Sequence, residues 1–327
     1  MEIKIIFLAD SHLGFDFILK PKKEKRRRGP DFFKNFDKII EYAKQVKADL
    51  IIHGGDLFYR TRVPEPIIDL VYERIFKIAN YGIPLVIVPG NHESSRLPAS
   101  LFMQHPNIFY FTKPQVFKFN LQGINFDIAG FPCVRDDIRG KFPEIVREIN
   151  YNFKENSVKL LCMHQTVEGA TVGPADYTFK SGKDVIPNKD IPSNYNAILS
   201  GHIHRSQILW VNQIPVIYPG SIERTAFTEK DETKGFYEIT FNQRTVMNYQ
   251  FIELETRPMI DIELNSEDYD QNQIEKDILF RIKNIPEDSI IRLKMKYPGN
   301  VPLLSVKLLD RIIPVTMNYQ VSGFLKA

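Results

Sequence analysis

Five short groups of side chains that can bind metal ions are spaced along the first 204 residues of the chain. Each group contains aspartate, asparagine or histidine and stands directly after a short apolar run. The groups are Asp10-Ser11-His12, Gly55-Asp56, Gly90-Asn91-His92-Glu93, His164 and Gly201-His202-Ile203-His204. They include five of the seven histidines, so the positions of the histidines are more informative than their number.

The order of these groups predicts one shared site. In open α/β sheets, ligands bind outside the carboxyl ends of the strands, which is where all five groups would lie. Residues two apart on an extended chain point to the same side, so Asp10 with His12, and His202 with His204, can each offer two ligand atoms. Imidazole and carboxylate together suit Mn, Fe, Zn or Ni. Because three carboxylate or amide groups and four imidazoles exceed the needs of one ion, we expect two metals that share a carboxylate.

Each group taken alone has a simpler explanation, since Gly, Asp and Asn are common in turns. The ordered recurrence of five groups behind strands favours a metal site over five unrelated turns. Outside the groups, we expect His105 to be solvated. We expect His53 to be a structural histidine, with support of the metal site near Asp56 as the alternative.

The elements that must position these groups are predicted strands and helices in alternation. Apolar stripes at three- and four-residue spacing predict helices over Phe32–Val46 and Ile67–Asn80. Strands are predicted at continuous apolar runs, which are typical of sheets covered on both faces. These runs are Ile3–Ala9, Leu50–His53, Pro84–Val88, Asn125–Ala129, Val158–Met163, Ala197–Leu199 and Pro215–Tyr218. The alternation predicts a layered α/β domain.

The pattern ends near residue 255, where we place a domain boundary. Residues 1–255 form the predicted larger domain and residues 256–327 a small second α/β domain. In the second domain we predict the strands Met259–Leu264 and Ser289–Tyr297, the helix Gln271–Ile282, and a further helix and strand. This part has no histidine and carries 10 basic and 10 acidic residues, so the net charge of +3 belongs to the larger domain.

Composition limits the classes of protein to consider. A hydrophobic content of 43% and a charged content of 25% are ordinary for a soluble globular protein and argue against disorder. No stretch approaches the ~20 apolar residues of a membrane span, and the N-terminus lacks a signal-peptide pattern. Two cysteines, Cys133 and Cys162, cannot form a disulfide framework. We therefore expect a cytoplasmic protein without membrane association.

The ordered set of five groups resembles the calcineurin-type metallophosphoesterase superfamily over residues 5–204. Narrower features resemble the SbcD-type nuclease subunits of double-strand-break repair. These features are His12-Leu13-Gly14, Arg28-Gly29-Pro30-Asp31-Phe32-Phe33, Gly54-Gly55-Asp56-Leu57-Phe58, Tyr218-Pro219-Gly220-Ser221-Ile222-Glu223-Arg224 and Lys234-Gly235. The resemblance implies a layered α/β/β/α sandwich with a small C-terminal α/β capping domain.

The resemblance also implies roles for single residues, beginning with two sets of metal ligands that share one carboxylate. The first set is Asp10, His12, Asp56 and His204, and the second is Asp56, Asn91, His164 and His202. His92 would be catalytic, contacting the scissile phosphate and assisting the leaving oxygen while a metal-bridged hydroxide attacks phosphorus. The implied cofactors are two divalent ions, with Mn²⁺ as the expected metal.

Three functional readings follow. The resemblance implies a DNA exonuclease and endonuclease subunit whose partners are DNA, an SbcC-type coiled-coil ABC ATPase and a second copy of the chain. The alternative is a metallophosphoesterase that acts on a phosphoprotein, a nucleotide or a cyclic nucleotide. A non-catalytic DNA-binding protein on the same fold is disfavoured, because all seven ligand positions are present.

Three departures from nuclease relatives bear on this choice. Glu93 stands where they often have aspartate, as it does in many phosphatases. Tyr59 stands where some repair nucleases have histidine, so Tyr59 or Arg60 is a candidate phosphate contact. The chain ends at Ala327 without the helices that often grip the ATPase in the family, so we expect that contact to be reduced.

One biased segment, Lys20–Arg28, has seven basic residues and one acidic residue in nine positions. Lysine and arginine there can neutralise phosphates and give salt-dependent, sequence-independent binding. We therefore predict DNA contacts at Lys22, Lys23, Arg26 and Arg27, against the alternative of a solvated charged loop.

Overall fold

The fold is mixed α/β, as predicted, in a computed structural model that describes residues 2–17, 27–93, 105–150, 153, 156–242, 245–265, 271–296 and 305–322. The α-helices are α1 (Gly29–Gln45), α2 (Glu65–Asn80), α3 (Ile138–Asn150), α4 (Gln271–Ile282) and α5 (Val306–Ile312), and short 3-10 turns lie at Asn188–Asp190 and Phe227–Glu229. The strands are β1 (Glu2–Leu8), β2 (Leu50–His53), β3 (Leu85–Ile87), β4 (Ile108–Tyr110), β5 (Gln115–Leu121), β6 (Ile124–Gly130), β7 (Val158–Met163), β8 (Thr166–Val167), β9 (Thr171–Val172), β10 (Tyr177–Thr178), β11 (Val185–Ile186), β12 (Ala197–Ser200), β13 (Gln207–Val211), β14 (Ile214–Tyr218), β15 (Lys234–Asn242), β16 (Thr245–Leu254), β17 (Met259–Asn265), β18 (Ile290–Lys296) and β19 (Asn318–Ser322).

Two six-stranded sheets form the larger part of the chain. The first has the order β16-β15-β1-β2-β3-β4, with β1 to β4 parallel and β15 antiparallel to both of its neighbours. The second has the order β13-β14-β12-β7-β6-β5, with four parallel inner strands and antiparallel strands at both edges. Apart from β4, which was not predicted from the sequence, the parallel strands of these two sheets are those marked by continuous apolar runs.

The two sheets pack face to face. Ile5 and Phe7 of β1 belong to the same buried cluster as Phe126 of β6 and Leu160 of β7. Helices cover the outer faces. Phe36 of α1 and Ile75 of α2 pack against Leu8 and Ile51 of the first sheet. On the second sheet, Phe142 of α3 shares a buried cluster with Leu161 and Met163 of β7. The α/β/β/α order implied by the resemblance is therefore confirmed.

The layering brings the carboxyl ends of parallel strands from both sheets toward one edge of the sandwich. Strands β1, β2 and β3 are neighbours in the first sheet, and β7 and β12 are neighbours in the second. Each of the five groups of candidate ligands follows one of these five strands. Groups that are far apart in the sequence therefore lie close together in the structure.

The chain divides into two compact units. The first contains Met1–Phe15, Gly29–Arg224 and Glu232–Glu255, and the second contains Asp16–Arg28, Thr225–Asp231 and Thr256–Ala327. A capping role for residues 256–327 stays a prediction. Within the described residues, no helix is long and apolar enough to cross a membrane.

The second unit is built on a parallel sheet in the order β17-β18-β19. Leu264, Leu293, Ile278 and Leu309 share one buried cluster, so helices α4 and α5 cover the same face of this sheet. Asp261, Glu263, Arg292 and Lys294 point the opposite way along β17 and β18, whereas Met259 and Ile290 at the start of these strands form a small apolar cluster with Phe227. The unit therefore has one apolar face under helices and an opposite face that is polar along most of its length.

Asp261 is the centre of an ion-pair network on this polar face. Its carboxylate accepts two hydrogen bonds from Arg292, at 2.6 and 2.9 Å, and pairs with Lys294 at 2.9 Å and Lys230 at 3.4 Å. Burial opposes ionisation of Asp261, but the hydrogen bonds from Arg292 and Lys294 outweigh it and hold the pKa of the carboxyl below its ordinary value. The network ties the neighbouring strands β17 and β18 through their side chains.

Asp261→Asn should lower the free energy of unfolding of the second unit by about 1–2 kcal/mol at pH 7, because the charge-assisted hydrogen bonds are lost. Since the folded-state pKa lies below the unfolded value of about 3.9, the contribution is complete above that pH and declines as pH falls further. Amide hydrogen exchange in β17 and β18 of the full chain should therefore show less protection in the variant at pH 7, and a smaller difference near pH 3. Asp288→Asn, at an exposed aspartate of the same unit, is the control. Equal protection of Asp261→Asn and wild type at pH 7 would contradict the role of the network.

Candidate metal centre

The loops after β1 and β2 are joined by main-chain hydrogen bonds. The Asp10 amide donates to the carbonyl of Gly55 at 2.9 Å, and the His12 amide donates to the carbonyl of Asp56 at 3.0 Å. These two bonds fix the residues that carry the candidate ligands against each other. They extend the parallel pairing of β1 with β2 past the ends of both strands.

Four of the candidate ligands have left-handed backbone conformations. The φ angles are 50° at Asp10, 43° at His12, 53° at Asp56 and 84° at His202. Such conformations are sparsely populated by residues other than glycine and cost on the order of 1–3 kcal/mol each, so they persist where the surrounding structure enforces them. The local strain turns each side chain out of the strand direction toward a common point.

The first group of converging ligand atoms comes from Asp10, His12 and His204, whose atoms all lie within 4.8 Å of one another. The Nε2 atoms of His12 and His204 are 2.9 Å apart, and His204 Nε2 lies 3.9 Å from Asp10 Oδ1. These residues come from β1 and β12, so the group spans both sheets.

A second group lies beside the first and shares the carboxylate of Asp10 with it. Asp10, Asp56 and His164 also have ligand atoms within 4.8 Å of one another. Asn91 Oδ1 lies 2.9 Å from His164 Nε2 and 3.0 Å from His202 Nδ1. The structure therefore brings all seven predicted ligands together, and the division into two metal sites stays a prediction.

Burial and mutual charge set the protonation of this cluster. Burial raises the pKa of Asp10 to about 6 and lowers the pKa of His202 to about 3. Burial also lowers the pKa of His12 well below its ordinary value. Burial alone would lower the pKa of His164, but the carboxylates of Asp56 and Asp10 outweigh it and raise the pKa to about 9. The imidazoles of His12 and His202 are therefore neutral at pH 7, whereas that of His164 is protonated beside the carboxylates.

The donor set fits divalent transition-metal ions. The Nε2 atoms of His12 and His204 face each other at 2.9 Å, so at least one of the two carries a lone pair rather than a proton. His12 Nδ1 is buried and has no hydrogen-bond partner among the described residues. Imidazole nitrogen with carboxylate and amide oxygen is the donor chemistry of Mn, Fe, Zn and Ni sites.

His92 lies at the open side of the cluster. Its backbone amide donates to Asp56 Oδ1 at 2.9 Å, its Nδ1 lies 2.5 Å from the carbonyl oxygen of Tyr59, and its Nε2 lies 3.7 Å from Asp56 Oδ2. The side chain is 33% exposed, against 3% for Asp56. His92, like the exposed His202, is thus placed to meet a substrate from solvent. The Tyr59 ring lies beside it, with ring centroids 5.8 Å apart.

Glu93 supports the loops that carry the ligands. Its buried carboxylate accepts hydrogen bonds from the amides of Asp56 at 3.1 Å, Phe58 at 2.8 Å and Gly90 at 2.6 Å. Burial raises the pKa of this carboxyl to about 8. The sequence identifies Glu93 only as a departure from nuclease relatives, whereas the structure gives it a supporting role between the loops after β2 and β3.

His53 is buried and has partners at both ring nitrogens. Its Nε2 lies 2.8 Å from the hydroxyl of Ser11, and its Nδ1 accepts from the Gly55 amide at 3.2 Å. Both partners are next in sequence to candidate ligands. His53 therefore fits both expectations: it is a buried structural histidine, and it supports the loops that carry the ligands.

Most of the predicted DNA-contact segment cannot be placed. Lys22, Lys23 and Arg26 lie outside the described residues. Arg27 is described, and its guanidinium pairs with Asp16 at 2.7 Å while remaining 47% exposed. DNA contact by this segment stays a prediction.

Lys234 is a supporting residue whose role sequence reasoning missed. Its side chain is fully buried, and its Nζ donates to the carbonyl of His204 and to Glu232 Oε2, each at 3.0 Å. Glu232 also pairs with Arg205 at 3.3 Å. The available signal was a lysine directly before the predominantly apolar segment of β15, where a buried charge requires a partner.

Comparison with known proteins agrees with this geometry. A family model described as calcineurin-like phosphoesterase matches residues 3–206. The DNA double-strand break repair protein Mre11 of Methanocaldococcus jannaschii is 26% identical over 293 residues, which cover 86% of this chain and 74% of that protein.

Solved structures show likeness of fold alone. A protein from Staphylococcus aureus assigned as a 5′-nucleotidase superposes with a TM-score of 0.50 at 12% identity, covering 86% of this chain and 58% of that one. A dimetal phosphatase from Danio rerio gives a TM-score of 0.46 at 12% identity, covering 72% of this chain and 92% of that one.

Lys234→Met should destabilise the chain by about 3 kcal/mol, because Glu232 and the His204 carbonyl lose a buried partner. Urea unfolding of the metal-free full chain, followed by circular dichroism, measures this loss. Lys118→Met removes an exposed lysine from β5 and is the matched control. The same unfolding midpoint for both variants would contradict a supporting role for Lys234.

Proposed function

The chain belongs to the calcineurin-like phosphoesterase family. On this premise, we propose that it is a metal-dependent phosphodiester hydrolase. We propose further that it cleaves DNA in double-strand-break repair, as an exonuclease and endonuclease subunit. The observation that carries this proposal is the meeting of seven carboxylate, amide and imidazole side chains in one partly buried site, with His92 and His202 at its exposed side. The likeness to a DNA double-strand break repair protein over 86% of the chain supports DNA as the substrate.

The proposed cofactors are two divalent ions, with Mn²⁺ as the expected metal. Asp10, His12 and His204 would hold one, Asn91, His164 and His202 the other, and Asp56 both. Such ions, when bound, neutralise phosphoryl oxygens and lower the pKa of water from ~15.7 toward neutrality. The chain itself supplies the geometry for this chemistry through the strained loops and through the exclusion of water around Asp10 and His164.

His92 is the proposed proton donor. The carbonyl of Tyr59 accepts from Nδ1–H, which orients the ring and leaves Nε2 facing the cluster, 3.7 Å from Asp56 Oδ2. In the imidazolium form, Nε2–H can donate to the oxygen that leaves phosphorus. General acid assistance of this kind contributes about 10²–10⁴-fold to rate.

The proposed partners follow the same resemblance. They are DNA, a coiled-coil ABC-type ATPase and a second copy of the chain, with residues 256–327 as a cap that faces DNA. The cytoplasm is the proposed compartment. The alternative substrate class, a phosphoprotein, nucleotide or cyclic nucleotide, is favoured by Glu93, which is the residue of many phosphatases at this position.

A parallel assay with Mn²⁺ on linear DNA, a cyclic nucleotide and a phosphopeptide tests the substrate class. We expect cleavage of DNA alone.

His92→Ala should retain its metal content, and its rate of hydrolysis should fall about 10²–10⁴-fold, as expected for the loss of a general acid. Asp56→Ala, the comparison variant, should lose metal and activity together.

Three results would contradict these assignments. Hydrolysis of the cyclic nucleotide or phosphopeptide without cleavage of DNA would replace the proposed substrate by the alternative class. An unchanged rate of His92→Ala on DNA would exclude the proton donor, and two ions still bound to Asp56→Ala would exclude the bridging carboxylate.

Replacement of Lys22, Lys23, Arg26 and Arg27 by glutamine should weaken DNA binding and flatten its salt dependence. Because Arg27 already pairs with Asp16, we expect a fall of about three in the slope of log affinity against log salt, about one per phosphate contact. Fluorescence anisotropy with labelled duplex DNA at several salt concentrations measures the slope. Replacement of the exposed Lys113 and Lys118 is the control, and an unchanged slope in the fourfold variant would exclude the segment as a DNA contact.

A further inference from the structure

Arg135 holds a positive charge at the edge of the candidate metal centre. It is exposed and lies on the loop between β6 and α3, and its Nη2 donates to the backbone carbonyl of Asn91. The amide side chain of the same Asn91 lies 2.9 Å from His164 and 3.0 Å from His202. The guanidinium therefore touches a residue that itself lies inside the cluster.

The loop that carries Arg135 is fixed from two sides. The Cys133 amide donates to the carbonyl of Pro89 at 2.9 Å, which attaches the loop to the segment after β3. The side-chain amide of Gln165 donates to the carbonyl of Val134 at 3.1 Å, which attaches it to the segment after β7. Arg135 is thus presented by a backbone that is tied to both sheets beside the cluster.

The charge of Arg135 is available for an anion. No carboxylate among the described residues pairs with it. Arg205, next in sequence to His204, differs because Asp176 and Glu232 both pair with its guanidinium. A guanidinium has five N–H donors in a planar fork, and the contact with Asn91 engages only the Nη2 end.

We propose that Arg135 binds the non-bridging oxygens of the substrate phosphate at the metal centre. A planar fork of donors matches the oxygens of phosphate in a bidentate manner, which a lysine ammonium does not reproduce. The proposal rests on the proposed phosphodiester hydrolysis and adds a residue that fixes the phosphate. It does not depend on DNA being the source of that phosphate.

The test compares Arg135→Gln, Arg135→Lys and Arg139→Gln. Arg139 is the matched control, since it lies four residues away and its Nε also donates to a backbone carbonyl, that of Gly182 at 3.0 Å. Each variant is assayed with Mn²⁺ on linear DNA and on bis(p-nitrophenyl) phosphate, a small diester without neighbouring phosphates. Bound metal and the dissociation constant of inorganic phosphate are measured in parallel.

Arg135→Gln should lower kcat/KM about 10- to 100-fold on both diesters and weaken the binding of inorganic phosphate by a similar factor. This is the size of effect expected when charge-assisted hydrogen bonds are lost. Its metal content should equal that of wild type, Arg135→Lys should recover part of the loss, and Arg139→Gln should behave as wild type.

Equal phosphate affinity in Arg135→Gln and Arg139→Gln would overturn the proposal, and so would loss of metal in proportion to loss of activity, because Arg135 would then only support Asn91. Failure of the proposed DNA function can be distinguished from failure of the proposal for Arg135. Wild type would then leave DNA intact, while the chromogenic diester and phosphate binding would still report on Arg135.

Discussion

The structure depends on holding two carboxylates and four imidazoles together at a site where Asp10, His12, Asp56 and His164 are buried. Asp10 and Asp56 repel each other when both are charged, and burial further penalises their charge. The main-chain bonds between the loops after β1 and β2, and the left-handed conformations of Asp10, His12 and Asp56, fix this arrangement. The fold tolerates this local strain because the free-energy cost of the strain is a small fraction of the stabilisation that the apolar core beneath the loops contributes.

Much of this fold could be predicted because its central strands are parallel and buried on both faces. Leu50–His53, Val158–Met163 and the helix Gln271–Ile282 begin and end where the sequence indicates. Strand β15 was missed because polar residues interrupt its apolar pattern, and Glu238 among them accepts from Tyr42 at 3.0 Å across the chain. Helix α3 was missed because it contains Pro143, a residue that ordinarily argues against a helix interior.

The candidate ligands could also be predicted, because each stands at the end of a recognisable strand and its type matches metal chemistry. The residues that support them could not. Lys234 and Arg135 act on main-chain carbonyls 30 and 44 positions away along the chain, and a backbone acceptor leaves no trace in the sequence. Glu93 acts on three main-chain amides in the same way, so its type alone does not reveal its partners.

The candidate ligands are divided between the two sheets, with Asp10, His12, Asp56 and Asn91 following strands of one and His164, His202 and His204 following strands of the other. The packing of Phe7, Phe126, Leu160 and their neighbours sets the registration of one layer against the other. Hydrogen bonds between the loops, such as that from the His202 amide to Asp10 at 3.0 Å, add to it. Protein interiors are packed as densely as organic crystals and transmit small changes in volume. A slight shear of the two layers would separate His12 from His204 without altering either residue. The fit of the candidate site to an ion of a given radius would therefore depend on hydrophobic side chains that do not line it, as well as on the ligands themselves.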